Sequence, residues 1–454
     1  MPISSFPGSP SSRARHDGIR LAAWYGLRYA CTPARFAGPQ PAAGRLDANC
    51  LQDVPVFPQL PSKLAAAMGQ GGHNPQSEDA FYANVWAPHD AHGLPVLLFI
   101  HGGAWMTGGG AMPWHDGSRL AARGMVVITV NYRLGALGHL GNGAALPLPL
   151  PAADLLTALR WAYTHASAFG GDPDRITLTG QSAGGWYAHL LSLLPQARGL
   201  VHRVALLSMG TRPPWSLEQQ LQVMQGVRHH LNGKDPQTVS YLALMQASQQ
   251  ALASLALPAA PNDLAHAPCA FLPVASPAMP SSLLQAGQAA LACHATAVYT
   301  RCTADESASF FFGSPRHRYA TQEEVDRTLA AWHPSDLPAS LRHHDRYDGA
   351  SSGQTPYRQL VAASSWHQFQ RFPTEYAAAC RQRGIHVLQD EFTEESELPG
   401  LHAGHCLDLP FQFGNRKDWA DAPMLQGFSE DRFEVIAERL MNSLYRFASG
   451  VRVG

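Results

Sequence analysis

Gly180-Gln181-Ser182-Ala183-Gly184 holds a serine with glycine two residues to either side. A tight strand-to-helix turn needs that spacing to display a nucleophilic hydroxyl, because a side chain at either position would collide with the folded backbone. The pattern alone is weak, since a chance match is expected roughly one time in four in a chain of this composition. A second match occurs at Gly349-Ala350-Ser351-Ser352-Gly353. Context separates the two. Ser182 follows the β-prone run RITLT (175–179) and precedes the apolar run WYAHLLSLL, whereas Ser351 follows the polar LRHHDRYD and precedes QTPYRQ, which reads as a loop.

Acyl transfer by a serine needs backbone N–H groups to hold the developing oxyanion, and a base oriented by an acid. A glycine-rich turn, His101-Gly102-Gly103-Ala104-Trp105, follows the β-prone run VLLFI (96–100) and can supply the donors. Past the serine, RCTADESASFFF offers Asp305 and Glu306, and GLHAGHCLDLPFQFG offers His402 and His405. The chain order serine, acid, histidine fits such a device. Spacing leaves both acids and both histidines open. Trp105, Trp186 and Phe310 stand beside these positions and are candidates for an apolar substrate pocket.

The elements that must position these residues are short apolar runs alternating with helical patterns. VLLFI, MVVITV (125–130), RITLT, RVALLS (203–208), ATAVYT (295–300) and GIHVLQ (384–389) predict a mostly parallel sheet covered on both faces. Leu155, Leu156, Leu159, Ala162 and Tyr163 share a helical face between Asp154 and Gly170, and a C-terminal helix follows the candidate N-cap Ser429. The stretches 212–292 and 315–380 lack strand rhythm and are expected as helical excursions forming a cap over the site. Residues 1–20 are expected as a mobile arm, and 21–454 as a single domain.

Composition narrows the partners. With 45% hydrophobic and 15% charged residues the chain can bury a sizeable core, and a net charge of -1 gives no general attraction for nucleic acid. The seven cysteines show no CxxC pair or ligand spacing, so neither a disulfide framework nor a structural metal is expected. No run of about 18 apolar residues suggests a spanning helix. The opening residues lack the apolar core of a secretion signal, and the cytoplasm is the expected compartment.

At these motifs the chain resembles the type-B carboxylesterase and cholinesterase-like family of α/β-hydrolases. FGGDPDRITLTGQSAGG (169–185), HGGAW, NYRLGALGHL and SEDAFYANVWAP (77–88) correspond to family blocks, together with YACTPARFAGPQP near residue 30 and the histidine block near 405. The resemblance implies an α/β-hydrolase fold and hydrolysis of carboxylic esters through an acyl-enzyme, with no cofactor or metal. By position it selects Glu306 as the acid, and it selects His405, nine residues before Gly414, as the base. His402 becomes a bystander. It further implies Gly103, Ala104 and Ala183 as oxyanion donors, and Arg35 with Glu78 as a structural ion pair.

This chain departs from the family pattern at several points. Ala80 replaces a usual cysteine, Gln181 stands where relatives often carry glutamate, and Cys406 follows the histidine in place of glycine, with a packing role expected for its thiol. No tryptophan occurs between Cys50 and Ser77 to stack on a quaternary ammonium, so the expected substrate is an uncharged aryl or alkyl ester. Two alternatives have different signatures. A carbamate or amide hydrolase using the same three residues would cleave a matched amide faster than the ester, and a non-catalytic binding protein of this fold would form no Ser182-dependent fluorophosphonate adduct. Neither the oligomeric state nor the physiological ester is written in these motifs.

Overall fold

The computed structural model describes residues 9–16, 18–43, 46, 53–141, 146–255, 264, 271–330 and 355–451. The rival motif around Ser351 lies outside them. Nine strands form one sheet: β1 (Ser12–His16), β2 (Ile19–Arg28), β3 (Tyr82–Pro88), β4 (Leu94–Ile100), β5 (Val126–Val130), β6 (Gly171–Gln181), β7 (Arg203–Leu207), β8 (Ala297–Thr303) and β9 (His386–Phe392). Their order is β1-β2-β3-β5-β4-β6-β7-β8-β9. From β5 to β9 all neighbours are parallel, while β1, β2 and β3 pair antiparallel at one end.

The apolar runs are strands because both of their faces are covered. Along β4, Val96, Leu98 and Ile100 enter one core with Ile176 and Leu178, while Leu97 and Phe99 enter the opposite core. The first core is closed by α1 (Leu150–His165) and α2 (Ala183–Leu193), the second by α7 (Glu430–Ser449). Helix α7 starts where expected: the Ser429 hydroxyl accepts from Arg432 N at 3.2 Å, and left-handed Gly450 ends it. Its Phe433, Ile436, Leu440, Met441 and Leu444 are all buried against the sheet. Each such side chain contributes about 1.5–3 kcal/mol by leaving water.

The six expected strand runs all lie in the parallel block. The arm expected over residues 1–20 needs correction, because its described part contains β1 and the start of β2, joined in register from Ser12↔Ala23 to His16↔Ile19. The polar sequence SRARH carries no apolar signal, since its edge strand is held through backbone pairing. Within 212–292 stand α3 (Leu217–His230), α4 (Tyr241–Leu255) and α5 (Ala286–Ala292); within 315–380 stand short helices, a π-turn at Trp366–Gln370 and α6 (Arg371–Gln382). Helices α3 and α4 bury Val223, Val227, Leu244 and Ala251 together with Leu137 and Phe271. Arg35 pairs with Glu78 and donates to the carbonyls of Pro236 (2.7 Å) and Val239 (2.8 Å), so the ion pair fastens the α3–α4 connection to the chain before β3.

Candidate active site

The parallel register brings the C-terminal ends of β4, β6 and β8 to one edge of the sheet, and the candidate residues project from there. Ser182 joins β6 to α2 with φ 55° and ψ −120°, a left-handed conformation that costs a non-glycine residue on the order of 1–3 kcal/mol. Close packing forces the turn. A Cβ on Gly180 would lie 2.2 Å from Gly184 O, and one on Gly184 would lie 2.1 Å from Ile100 O. The Ser182 N–H donates to Leu207 O at 2.8 Å, fixing the turn to β7.

His405 Nε2 lies 2.8 Å from Ser182 Oγ, and His405 Nδ1 hydrogen-bonds Glu306 Oε2. A carboxylate only accepts, so Nδ1 carries the proton and Nε2 is left to accept from the serine. The other carboxylate oxygen, Oε1, accepts from Thr303 N at 2.8 Å. The rings of Phe310 and Phe369 flank the imidazole at 5.4 and 4.9 Å. Burial works against a charge on His405, but the Cys406 sulfur and the Glu306 carboxylate beside it outweigh burial and raise its pKa well above the ordinary value. Gln181 Nε2 donates to Cys406 Sγ at 3.3 Å and lies 3.4 Å from His405 Nε2.

Asp305 and His402, the unchosen neighbours, meet different partners. Arg358 Nη2 donates to His402 Nδ1 at 2.9 Å, and Asp305 Oδ2 accepts from Ala403 N at 3.3 Å.

The turn after β4 is strained and is held by the packing around it. Gly103, Ala104 and Trp105 all have positive φ (115°, 52° and 61°), and a Cβ on Gly103 would lie 1.9 Å from Thr107 O. Within the described residues the N–H groups of Gly103 and Ala104 donate to no carbonyl or side chain. Ala183 is the first residue of α2, where N–H groups have no partner inside the helix. All three positions are therefore able to serve an anion.

Two cavities meet at this turn. The larger, about 260 Å³, contains Ser182 and His405 and is walled by Leu64, Met68, Met112, Trp114 and His115. Burial holds the His115 imidazole neutral, with its pKa lowered to about 4. The smaller, about 130 Å³, lies beyond Gly103 and Ala104 and is walled by Leu137, Met245 and Phe271. Phe310 lines both.

Trp105 and Trp186 line neither cavity. They are 3% and 0% exposed and pack edge to face with centroids 6.1 Å apart, behind the turn. The indole N–H of Trp186 donates to Arg212 O at 3.1 Å. Adjacency in sequence to a strained turn turned these rings into the core. The walls that do face the serine come largely from residues 56–76 and 107–115, which carry no periodic pattern, while Phe369 on the π-turn packs against the imidazole of His405. Residue type gave no signal for them.

Fold and site together define a class, the α/β-hydrolases that use a serine displayed on a strand-to-helix turn. The chain belongs to the Carboxylesterase family, whose model matches residues 9–450. It is 32% identical to the para-nitrobenzyl esterase of Bacillus subtilis over 411 residues, covering 86% of this chain and 79% of that protein. It is 31% identical to a protein of Rhodococcus erythropolis named "Probable N-octanoylanthranilate hydrolase", covering 90% and 85% of the two chains. Its structure superposes on the Geobacillus stearothermophilus carboxylesterase with a TM-score of 0.76 at 27% identity, over 96% of this chain and 88% of that one. The protein is a carboxylic-ester hydrolase with the mostly parallel α/β-hydrolase sheet. Among the described residues no helix is long and apolar enough to cross a membrane.

Proposed function

We propose that Ser182, His405 and Glu306 hydrolyse uncharged carboxylic esters through an acyl-enzyme. The observation that carries this is the continuous chain from Ser182 Oγ through His405 to Glu306, ending at an N–H of β8. His405 Nε2 takes the serine proton as Oγ attacks the ester carbonyl, and returns it to the leaving alkoxide as the C–O bond breaks. Water then attacks the acyl-enzyme by the same route. The N–H groups of Gly103, Ala104 and Ala183 hold the tetrahedral oxyanion, each worth on the order of 10² to 10³ in rate. Glu306 keeps the imidazole in the required tautomer and stabilises the imidazolium.

The two cavities divide the substrate. The leaving alcohol must sit where His405 can protonate it, which is the larger cavity, and Trp114 with neutral His115 suits an uncharged aryl or alkyl alcohol. The acyl chain then extends past the oxyanion turn into the smaller cavity, whose size favours short chains. Five described cysteines remain free thiols, which fits a reducing compartment such as the cytoplasm. A series of p-nitrophenyl esters tests the division. We expect kcat/KM to peak at a short acyl chain and the optimum to lengthen in Met245→Ala; an unchanged optimum in that variant would place the acyl group elsewhere.

A further inference from the structure

A second charged pair is buried behind the proposed triad. Arg301 on β8 and Asp408 are both fully buried, and Arg301 Nε and Nη2 donate to the same oxygen, Asp408 Oδ2, at 3.1 and 2.8 Å. Strand β8 runs on from Arg301 through Thr303 into the turn bearing Glu306, and Thr303 N is the donor to that glutamate. Asp408 stands three residues after His405. One ion pair therefore joins the strand that carries the acid to the loop that carries the base.

The short span between His405 and Asp408 is internally fixed. Leu407 N donates to Gly404 O (3.2 Å) and Leu409 N to Cys406 O (3.1 Å), while Cys406 takes a left-handed φ of 72°. Ser309 Oγ donates to His405 O at 2.9 Å. A segment closed in this way moves as a unit, so displacing Asp408 displaces the imidazole. The pair is poorly built for stability alone. Arg301 Nη1 and Asp408 Oδ1 have no hydrogen-bond partner among the described residues, and a buried pair is often replaceable by apolar side chains without loss of stability. Neither residue lines either cavity.

We infer that Arg301 and Asp408 are positioning residues that set His405 against Glu306 and Ser182; this rests on the triad proposed above. The test replaces both charges at once, in Arg301→Met/Asp408→Leu, so that no unpaired charge is left buried. The expected result is a folded protein with unchanged thermal unfolding, KM within about twofold and kcat lowered roughly 10- to 100-fold, the scale of a misplaced reacting group. Fluorophosphonate labelling should slow by the same factor, because it depends on the same serine–histidine contact. A folded double variant with wild-type kcat would overturn the inference. Should the double variant not fold, Arg301→Lys keeps the charge but loses the two-nitrogen grip: a lower kcat at constant KM supports the pair, and an unchanged kcat overturns it. The triad itself is tested separately by Ser182→Ala, whose failure to abolish activity would remove that reading and not merely this one.

Discussion

Glu306–His405 and Asp305–His402 are two acid–imidazole sets one and three residues apart in sequence, and they behave oppositely. The inner set is sealed: both side chains are buried, and the carboxylate with the Cys406 sulfur overcomes burial to favour the imidazolium. In the outer set, burial raises the pKa of Asp305, while burial and the nearby Arg358 guanidinium lower that of His402. Arg358 also pairs with Glu395, which draws His402 into a partly exposed cluster away from the serine. Residue type is nearly the same in the two sets. What differs is the direction in which one turn aims its side chains, and among the described residues only the inner set has a hydroxyl at its far end.

The largest effect separating the two sets is expected from Glu306→Gln. An amide would hold the wrong tautomer of His405 and lower kcat by roughly 10⁴, measured on p-nitrophenyl esters, whereas Asp305→Asn should leave most of the activity. An equal loss in the two variants would erase the distinction. A smaller effect concerns pH. His405 must be neutral to accept the serine proton, and its pKa is raised, so kcat/KM should fall as pH drops through a value above 6.5. Glu306→Gln should carry that acid limb to lower pH, since the carboxylate favours the charged ring; a limb indifferent to Glu306 would contradict the electrostatic assignment. The smallest effect is expected from His402→Gln, less than about twofold in kcat/KM, as for substitutions away from a working network.

Much of this molecule is legible in its sequence because the parallel block is buried on both faces and so writes apolar runs such as VLLFI and MVVITV directly into the chain. Gly180 and Gly184 are legible for a related reason: atoms 2.1 to 2.2 Å from a hypothetical Cβ leave room for no other residue. The antiparallel end is hidden, since β1 is polar and β2 mixes alanine, glycine and aromatics. The outer histidine could not be rejected by spacing, because the side on which a loop residue lands depends on Arg358 and on the turn at His402, whose φ is 52°. Trp105 and Trp186 misled through adjacency. A residue beside a displayed serine is as easily folded under the turn as over it, and the cavity walls come from segments whose approach to the site depends on long-range packing.

Everything proposed for this site depends on Ser182 being activated by His405 and acylated by the substrate. The most direct measurement is the stoichiometry and rate of covalent labelling by a fluorophosphonate in wild type, Ser182→Ala and His405→Gln, followed by intact-protein mass. One adduct per chain located on Ser182, absent in Ser182→Ala and strongly slowed in His405→Gln, is the expected result. An adduct that persists without Ser182, or ester hydrolysis that survives its removal, would show that Ser182 is not the nucleophile.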